Sequence, residues 1–365
     1  MNNILNLYPM IHQDKLIYKY KNTIRIGTDD NDVVEIATAS NDIFELLKSM
    51  NGTKTVYQLL NDYKFITFND LGNLVVKLIK QNVLTILKEP LKLNSKYKSD
   101  IVYYYSEGLD SKEILDRLRE TKITIFGVGG GGSLLALQLA NLGVKNLHLV
   151  DKDKIEISNL NRQFLFKNSD IGRYKVEVVK NYLLDRNSDL NISTSIKNIQ
   201  SVSDALKELK NTNWTFCCID EPPYISQRII NRAAYIKNIP SLYGFSARDS
   251  GKMVVVDPNN TGCIDCLLTD RDNEDYEYLI RAFQNSDFTP STPIVVSNMM
   301  LEASWICKKW LDVFVGKKQI KNILYRFDFN TFKEEEFITY RKHESCPTCG
   351  HKRNDSKLWK IIPIK

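Results

Sequence analysis

The segment at residues 123–151, "ITIFGVGGGGSLLALQLANLGVKNLHLVD", constrains the fold of this chain more than any other. An apolar, β-branched run leads into a glycine cluster, a helical pattern follows, and a second apolar run ends at Asp151. Glycines at a strand-to-helix turn let main-chain amides and the helix N-terminus face a phosphate group. The candidate phosphate-binding residues are Gly127, Gly129, Gly130 and Gly132. The segment predicts the start of a nucleotide-binding βαβ unit, although a glycine-rich turn without a ligand has the same pattern.

Asp151 lies 19 residues after Gly132, where a carboxylate at the end of the second strand reaches a ribose hydroxyl. Beyond it, the stretch "DKDKIEISNLNRQFLFKNSDIGRYK" carries Asn159, Arg162 and Lys175. Hydride transfer needs no cations there, whereas cleavage of ATP between its α and β phosphates needs them to stabilise the departing pyrophosphate. The pattern therefore favours ATP cleavage over a redox dinucleotide. A solvated basic surface is the alternative for any one of these cations.

Residues 96–365 alternate between apolar runs and helical patterns. Strands are predicted at Ile123–Phe126, Leu147–Val150, Ile192–Ile199 and Trp214–Ile219. Alternation of this kind predicts an α/β fold with a doubly wound, mostly parallel Rossmann-like sheet.

Residues 1–95 have a different pattern and are predicted to form a separate winged-helix domain. The stretches "TIRIG" and "DVVEIA" indicate short strands, and "NDIFELLKSM" indicates a helix capped by Asn41 or Asp42. In "NGTKTVYQLL", Thr55 and Gln58 have the spacing of a capping box. A third helical pattern with one apolar face and a strand-like tail follows. The next segment, "EPLKLNSKYKSD", is predicted to be a linker.

Two cysteine pairs have the spacing of a zinc site. They occur in "GCIDC" and "SCPTCG", as Cys263, Cys266, Cys346 and Cys349. Each C-x-x-C turn can direct two thiolates toward one tetrahedral zinc ion, and four thiolates leave no open coordination position. The sequence thus predicts a structural zinc that fastens the C-terminal segment to the core. Four unrelated buried cysteines are the alternative.

The combination "GVGGGGS…VDKDKIEISNLNRQ…GRYKVE…CCIDEPP" resembles the ThiF-type family of adenylating enzymes, which are related to ubiquitin-activating enzymes. The likeness covers roughly residues 100 to 350 and includes the cysteine pairs. Besides the four glycines, it implies nucleotide contacts by Asp151, Asp153, Asn159, Arg162, Gln163 and Lys175. It also implies that Asp220, at the end of "WTFCCID", holds Mg²⁺ and acts with Arg162 and Lys175 on the transition state. On its own, an aspartate at that position is also typical of a helix cap.

The front domain indicates which kind of acceptor receives the nucleotidyl group. Its stretch "VVEIATASNDIFELLKSMNGTKTVYQLLNDY" resembles winged-helix domains that capture precursor peptides, which add an extended peptide to a sheet edge. Together with the adenylating domain, it resembles the peptide nucleotidyltransferases of microcin C-type antibiotic biosynthesis. The resemblance implies a short precursor peptide as the partner. Its C-terminus would be nucleotidylated by ATP or CTP, with release of pyrophosphate.

Two other functions fit parts of the pattern. The first is a sulfur-carrier adenylyltransferase of thiamin or molybdopterin type. The front domain disfavours it, and so does the absence of a thioester cysteine from the loop after the first cysteine pair, although Cys307 stays open as a nucleophile. The second is a non-catalytic scaffold that delivers a peptide to a cyclodehydratase. It is disfavoured because the nucleotide and magnesium residues are all present.

The resemblance further implies a homodimer, in which Arg117 or Arg119 would reach across to the partner's site. The 43% hydrophobic and 26% charged residues are ordinary for a soluble globular protein. No signal peptide is apparent, and no apolar run reaches the roughly 18 residues that span a bilayer, so a cytoplasmic protein is expected. The net charge of +6 is mild, so no nucleic-acid partner is expected. In a reducing compartment, the seven cysteines are expected to be thiols or metal ligands.

Overall fold

The structure is a computed structural model that describes residues 4–28, 33–92, 95–285, 293–352 and 356–365. The chain divides into two compact units, Met1–Leu115 and Asp116–Lys365. The functional domain boundary that the sequence places between residues 95 and 96 lies before this division and stays a prediction. None of the helices in the described residues is long and apolar enough to cross a membrane.

The first unit combines two small antiparallel sheets with a group of helices. Its strands are β1 Tyr8–Ile11, β2 Ile17–Tyr20, β3 Thr23–Ile26, β4 Val34–Ile36 and β5 Leu84–Leu87. Its helices are α1 Asn41–Ser49, α2 Val56–Asp62, α3 Phe68–Lys80 and α4 Lys98–Ser106. Strands β2, β3 and β4 form one sheet in that order, and β1 pairs with β5. The chain thus makes a three-stranded sheet, then three helices, and then returns to its first strand.

Side-chain caps fix the starts of the helices in this unit. The predicted capping box of α2 is confirmed: Gln58 N donates to Thr55 Oγ1 (3.1 Å), and Thr55 N donates to Gln58 Oε1 (2.8 Å). The prediction of Asn41 or Asp42 as the cap of α1 is wrong. The hydroxyl of Ser40 accepts the bond from the first turn, and Asn41 is already helical.

The segment predicted to be a linker is partly structured. Leu91 is buried, packs with Met10, and donates its N–H to Gly52 O (2.8 Å). The end of the segment, from Lys98 onward, begins α4. The linker prediction is therefore wrong for these residues, because an apolar side chain anchors the segment to the core. Residues 93 and 94 lie outside the described part of the chain.

In the described residues of the second unit, eight strands form one sheet. They are β6 Lys122–Phe126, β7 Asn146–Val150, β8 Asn191–Ser195, β9 Trp214–Cys217, β10 Ser241–Ser246, β11 Ser250–Val256, β12 Ile323–Asp328 and β13 Lys333–Thr339. The helices are α5 Ser111–Glu120, α6 Gly130–Leu142, α7 Lys175–Arg186, α8 Val202–Glu208, α9 Ile225–Ile236, α10 Ile264–Thr269, α11 Glu274–Asn285, α12 Val296–Phe314 and α13 Lys357–Ile361. Helix α5 begins in the last residues of the first unit.

The strand order of the large sheet is β13-β12-β11-β10-β9-β6-β7-β8. Strands β8, β7, β6, β9 and β10 run parallel, and β11, β12 and β13 continue the sheet antiparallel. Strand β6 pairs with β7 on one side and with β9 on the other, so the winding reverses at β6. Ligands of open α/β sheets bind at the carboxyl edge of such a reversal. The predicted α/β class with a mostly parallel sheet is confirmed.

Two strands of this sheet are shorter than the sequence indicates. Strand β8 ends at Ser195 rather than Ile199, and β9 ends at Cys217 rather than Ile219. For β8 the only neighbouring strand has ended, since Val150 is the last residue of β7 to pair with β8. For β9 one neighbour has ended, since β6 turns into the glycine loop beside Cys217, while β10 continues to Ser246. An edge strand such as β8 loses its only hydrogen-bonding partner where its neighbour ends.

Two glycines make the turn from β6 into α6 possible. Gly127 has φ +85°, in the left-handed region, and a Cβ atom there would lie 2.7 Å from Cys218 O. A Cβ atom at Gly132 would overlap the carbonyl oxygen of Gly127. Helix α6 therefore packs directly against the end of β6 only because both positions lack side chains.

Candidate nucleotide-binding site and zinc site

Three loops meet at the carboxyl edge of the sheet around β6. The glycine loop follows β6, Asp151 follows β7, and Asp220 lies shortly after β9. Phe126 is paired with both Val150 and Cys217, so the three strands end at the same level. The register thus brings the predicted phosphate, ribose and magnesium residues to one edge.

The glycine loop leads into the N-terminus of α6 without a capping side chain. Gly129 is the residue before the helix, and no side chain accepts a hydrogen bond from the first turn. Helix α12 supports the loop, since a Cβ atom at Gly130 would lie 3.2 Å from the side chain of Met299. A phosphate group would complete such an uncapped helix start.

Asp151 is 8% exposed and ties the glycine loop to the end of β7. Val128 N donates to Asp151 Oδ2 (2.8 Å), and Asp153 N donates to Asp151 Oδ1 (2.9 Å). Burial raises the pKa of Asp151, and the two backbone donors oppose that rise. Each carboxylate oxygen keeps capacity for a further donor such as a ribose hydroxyl. Asp151 therefore has a structural role that sequence reasoning missed, beside the predicted ribose contact.

Lys175 begins α7 and lies buried next to Asp153. Its Nζ donates to Asp153 Oδ2 (3.0 Å), and its N–H donates to Asp153 O (3.0 Å). Two of the predicted nucleotide residues are thereby in direct contact. The charge of the lysine adds to the positive end of the helix dipole, so this position favours an anion.

Asn159, Arg162 and Gln163 lie on the turns between β7 and α7. Asn159 Oδ1 accepts from Glu156 N (3.1 Å), and Arg162 Nη1 donates to a carbonyl of its own turn (2.8 Å). Gln163 is buried, and its side-chain oxygen has no hydrogen-bond partner among the described residues. Its amide lies beside Gly129, where a Cβ atom would be 3.6 Å from Nε2. A buried acceptor without a partner next to the glycine loop is a place where a ligand donor is expected.

Asp220 is exposed, but the backbone around it is fixed by α9. Gln227 Nε2 donates to Ile219 O (2.9 Å), and Ser226 Oγ donates to Glu221 O (2.6 Å). The carbonyls on both sides of Asp220 are thus held by side chains of one helix. An accessible carboxylate on a fixed backbone suits a Mg²⁺ ion that arrives with a nucleotide.

The four cysteines predicted to bind zinc form one buried cluster. Cys263 and Cys266 lie at the start of α10, and Cys346 and Cys349 come from the C-terminal segment. Their Sγ atoms all lie within 4.8 Å of one another, with Cys263–Cys346 at 3.5 Å and Cys266–Cys349 at 3.3 Å. Thiolates around a tetrahedral zinc at about 2.3 Å lie about 3.8 Å apart. The four residues therefore fit zinc.

Backbone amides point at the sulfur atoms of this cluster. His343 N donates to Cys266 Sγ (3.4 Å), and Thr348 N and Cys349 N donate to Cys346 Sγ (3.4 and 3.5 Å). Donors of this kind orient metal ligands and stabilise the thiolate charge that zinc requires. The cluster thus has the supporting contacts of a structural metal site.

A buried ion pair joins the cysteine cluster to the end of the chain. Arg228 Nε donates to Asp265 Oδ1 (2.8 Å), which lies between the first two cysteines, and Arg228 Nη1 donates to Ile362 O. Thr348 Oγ1, between the second two cysteines, donates to Asp265 Oδ2 (2.6 Å). Protein contacts alone therefore already connect α9, both cysteine turns and the C-terminal segment.

A buried carboxyl group next to the edge escaped the sequence analysis. Glu302 of α12 is 3% exposed, and Ser246 Oγ at the end of β10 donates to its Oε2 (2.6 Å). Burial raises the pKa of Glu302 to about 7. The sequence signal is a single acidic residue in "NMMLEASWIC", which fits an exposed helix position equally well.

The cysteines outside this four-cysteine cluster are unsuited to thioester chemistry. Burial raises the pKa of Cys217 and of Cys307 to about 12, and raises that of Cys218 well above its usual range. A thiol that is not ionised at neutral pH is a weak nucleophile. Cys307, which the sequence left open, is therefore a poor acceptor for an acyl group. Residues 286–292, in the loop after the first cysteine pair, lie outside the described part of the chain.

The two arginines expected to reach across a dimer have partners within their own chain. Arg117 Nη2 donates to Phe314 O (2.6 Å), and its guanidinium lies over the Phe314 ring at 4.7 Å. Arg119 Nη1 donates to Asp116 Oδ1 (2.8 Å). A role across a dimer would require these contacts to open, and it stays a prediction.

Comparison with known proteins places the site in a family context. The model of the ThiF family matches residues 105–348. The SUMO-activating enzyme subunit 2 of Dictyostelium discoideum is 30% identical over 151 residues, 41% of this chain and 22% of that protein. The sulfur carrier protein ThiS adenylyltransferase of Bacillus subtilis is 26% identical over 240 residues, 65% of this chain and 67% of that protein. The chain spans 22% to 37% of the length of three such relatives, including the SUMO-activating subunit.

Solved structures of the same fold match along nearly the whole chain. E. coli MccB with AMPCPP and MccA has a TM-score of 0.71 at 22% identity, over 94% of this chain and 99% of that one. The microcin C7 biosynthetic enzyme MccB with N-formylated MccA has a TM-score of 0.72 at 22% identity, with the same coverage. At this level of identity, the structural likeness establishes the fold alone. Because the family model matches well over half of its length, the chain belongs to the ThiF family.

Proposed function

We propose that this chain is an adenylyltransferase that activates the C-terminus of a short, ribosomally made peptide with ATP or CTP, in a microcin C-like biosynthesis. The observation that carries the proposal is the carboxyl edge, where the uncapped start of α6, Asp151 and Asp220 follow three adjacent strands. The likeness to MccB, whose structures contain AMPCPP and MccA, supports a peptide acceptor.

Each residue at the edge has a role in this reaction. The N-terminus of α6 would bind a phosphate group, and Asp151 would accept a bond from a ribose hydroxyl. Asp220 would hold the Mg²⁺ that accompanies the nucleotide and offsets its phosphate charge. Lys175 and Arg162 would stabilise the pyrophosphate as negative charge builds on it.

The bond changes follow from this arrangement. A carboxylate oxygen or terminal amide nitrogen of the peptide attacks the α-phosphorus and forms a bond to it. The bond from the α-phosphorus to the bridging oxygen breaks, and pyrophosphate leaves with the electron pair. Attack by nitrogen also releases one proton. Zinc bound by four thiolates has no open position, so it supplies structure only.

The first unit is proposed to bind the peptide. Strands β2 and β4 are the outer strands of its three-stranded sheet, and an extended peptide can add to such an edge through main-chain hydrogen bonds. The exposed side chains of Leu16 and Tyr20, near the two ends of β2, offer apolar surface to an added strand. We further propose that the protein is a cytoplasmic homodimer.

A sulfur-carrier adenylyltransferase is the second candidate. The relationship to the ThiS adenylyltransferase of Bacillus subtilis, over 65% of this chain, favours it. The family model begins at residue 105, so the first unit lies almost wholly outside the part shared with such enzymes. A peptide-binding role for that unit accounts for this extra domain, and the sulfur-carrier function does not.

Pyrophosphate release from ATP and from CTP tests the proposal. It would be measured with and without short synthetic peptides, including peptides that end in asparagine. Asp220→Asn should abolish peptide-dependent release, because it removes the negative charge that holds Mg²⁺. Asp185→Asn, a change of the same kind at an exposed position of α7, should leave the rate unchanged.

The possible outcomes separate the candidates. Release that depends on a short peptide and fails in Asp220→Asn supports peptide nucleotidylation. Release that occurs only with a purified ThiS-like carrier protein would replace the proposal with the sulfur-carrier function. Folded, zinc-loaded protein that is silent with every nucleotide and acceptor would indicate a peptide-delivery scaffold.

A further inference from the structure

Lys252 of β11 is a half-buried cation on the face of the large sheet opposite α12. Its neighbours Gly251 and Met253 face α12: a Cβ atom at Gly251 would meet Glu302, and Met253 lines a small cavity with Lys309. Successive side chains of a strand point to opposite faces. Lys252 therefore points to the face that carries the cysteine cluster.

Lys252 lies among aromatic and cationic groups. Its Nζ lies over the ring of Phe337 on β13 at 5.0 Å, and the guanidinium of Arg326 on β12 lies over the same ring at 5.6 Å. Arg326 is neutralised by ion pairs with Glu335 (3.1 Å) and Asp328 (3.5 Å). Within the described ranges, no carboxylate lies at ion-pair distance from Lys252.

Arg271, just after α10, adds a second cation of this kind. Its guanidinium lies over the ring of Tyr276 at 4.8 Å, and it makes no ion pair with any carboxylate that the structure describes. Burial lowers the pKa of Lys252, and the charges of Arg326 and Arg271 lower it further, while Asp249 acts in the opposite direction. An anion bound at Lys252 would offset the positive charges that oppose its protonation.

The cluster lies beside the proposed reaction centre. Strand β11 is two strands from β9, which is about 10 Å across the sheet. Lys252 pairs with Phe245, two residues beyond Tyr243, and Tyr243 pairs with Cys217. Asp220 lies three residues beyond the end of β9, and Tyr224, four residues further on, packs edge to face against Tyr276, the ring that Arg271 lies over (ring centroids 6.0 Å apart).

We propose that Lys252 and Arg271 bind a carboxylate of the acceptor substrate and orient it toward the nucleotide. Arg326 would act as a positioning residue, since its two ion pairs hold it against Phe337. The inference rests on the proposed function and adds the chemistry of the acceptor: a carboxylate bound about two strands from Asp220. That carboxylate is the C-terminal one or an acidic side chain close to the C-terminus.

ATP–pyrophosphate exchange with Lys252→Met tests the role of the cation in turnover. Methionine keeps an apolar stem over Phe337 and removes the charge. Lys237→Met, at the exposed end of α9, is the matched control. Two pools of short synthetic peptides with free C-terminal carboxylates would be compared: an acidic pool with an acidic side chain close to the C-terminus, and a neutral pool without one. We expect Lys252→Met to raise KM for the acidic pool at least about tenfold, with KM for ATP and kcat unchanged.

The two pools distinguish the sources of the carboxylate. An increase in KM for both pools assigns the cluster to the C-terminal carboxylate. An increase confined to the acidic pool assigns it to an acidic side chain. An unchanged KM for both pools, in a variant that binds ATP normally, would overturn the inference.

A second measurement does not require turnover. The rate at which acetic anhydride acetylates Lys252 can be followed by peptide mass spectrometry in the presence of AMPCPP and Mg²⁺. The acidic pool should slow this rate about tenfold and leave the acetylation rate of Lys237 unaffected. Exchange without protection of Lys252 refutes the inference alone. Absence of both exchange and protection refutes the proposed function together with the inference.

Discussion

At the scale of single residues, Asp151 and Gln163 differ in the hydrogen bonds that their side-chain oxygens accept. Asp151 accepts two backbone N–H groups, whereas the side-chain oxygen of Gln163 accepts nothing from the described residues. The bond from Val128 to Asp151 could not be predicted from the sequence, because the sheet register brings the two residues together. The lack of a partner for Gln163 among the described residues could not be predicted either. The identity of both residues as candidates could be predicted, since it depends only on spacing within one motif.

Glu302 should make stability depend on pH. Its pKa is about 7 in the fold, against 4.5 for a free side chain, because burial disfavours the carboxylate. The folded state therefore holds the proton more tightly, so the contribution is complete below about pH 4.5 and is lost as the pH rises to about 7. Over this window the wild type should lose about 3 kcal/mol of unfolding free energy through Glu302, and we expect Glu302→Gln to abolish this loss. Urea unfolding at pH values across this window measures it.

Glu120→Gln, at the exposed end of α5, controls for a general effect of charge removal. It should leave the pH dependence of the wild type unchanged. Equal pH dependence in the wild type and in Glu302→Gln would contradict the burial argument.

At the scale of elements, the start of α6 depends on two neighbouring glycines in different ways. Gly132→Ala would place a Cβ atom into the carbonyl oxygen of Gly127, so α6 must shift away from β6. A Cβ atom at Gly131 would lie 3.5 Å from Met299 Sδ, which is an ordinary contact. We expect Gly132→Ala to destabilise the protein by several kcal/mol and to abolish nucleotide binding.

Gly131→Ala is the matched change one residue away. It should be neutral or slightly stabilising, by up to about 1 kcal/mol, because alanine favours helix. Urea unfolding and ATP titration of both variants provide the readout. Equal stability of the two variants would show that α6 does not need the close approach.

Element boundaries were harder to predict than element types. The capping box of α2 is local to four residues, so its sequence spacing was sufficient. Ser40 caps α1 although two equally good capping residues follow it, since the path of the chain before the helix decides which one is first. Strand β8 stops at Ser195 because β7 stops beside it, and that neighbour lies about 45 residues away.

At the scale of the whole molecule, the cysteine cluster should fix the end of the chain. Cys349→Ser removes one of four ligands, so we expect the zinc content to fall from about one per chain to near zero. Zinc binding contributes directly to folding free energy, so the thermal midpoint should fall by at least several degrees. Elemental analysis and thermal unfolding measure the two effects.

Cys307→Ser changes a buried cysteine outside the cluster and is the matched control. It should keep its zinc even where it loses some stability through burial of a hydroxyl group. A full complement of zinc in Cys349→Ser would contradict the four-cysteine assignment.

At this scale as well, features that depend on nearby residues were predictable from the sequence, and features that depend on distant residues were not. The parallel order of the sheet and the cysteine pairs were predictable, because each depends on spacing within short segments. The partners of Arg117, Arg228 and Lys252 were not, since they come from distant segments that meet only in the fold. Glu302 belongs to the same class, because its burial depends on Gly251 of another element.

The fate of the two ends of the triphosphate tests the central claim, nucleotidyl transfer to a peptide, most directly. The protein would be incubated with short peptides and ATP labelled at either the α- or the γ-phosphorus. The account predicts that the α label moves to a peptide-sized product while the γ label leaves as pyrophosphate. Formation of ADP with the γ label in free phosphate, or transfer of the α label to water whether or not peptide is present, would contradict it.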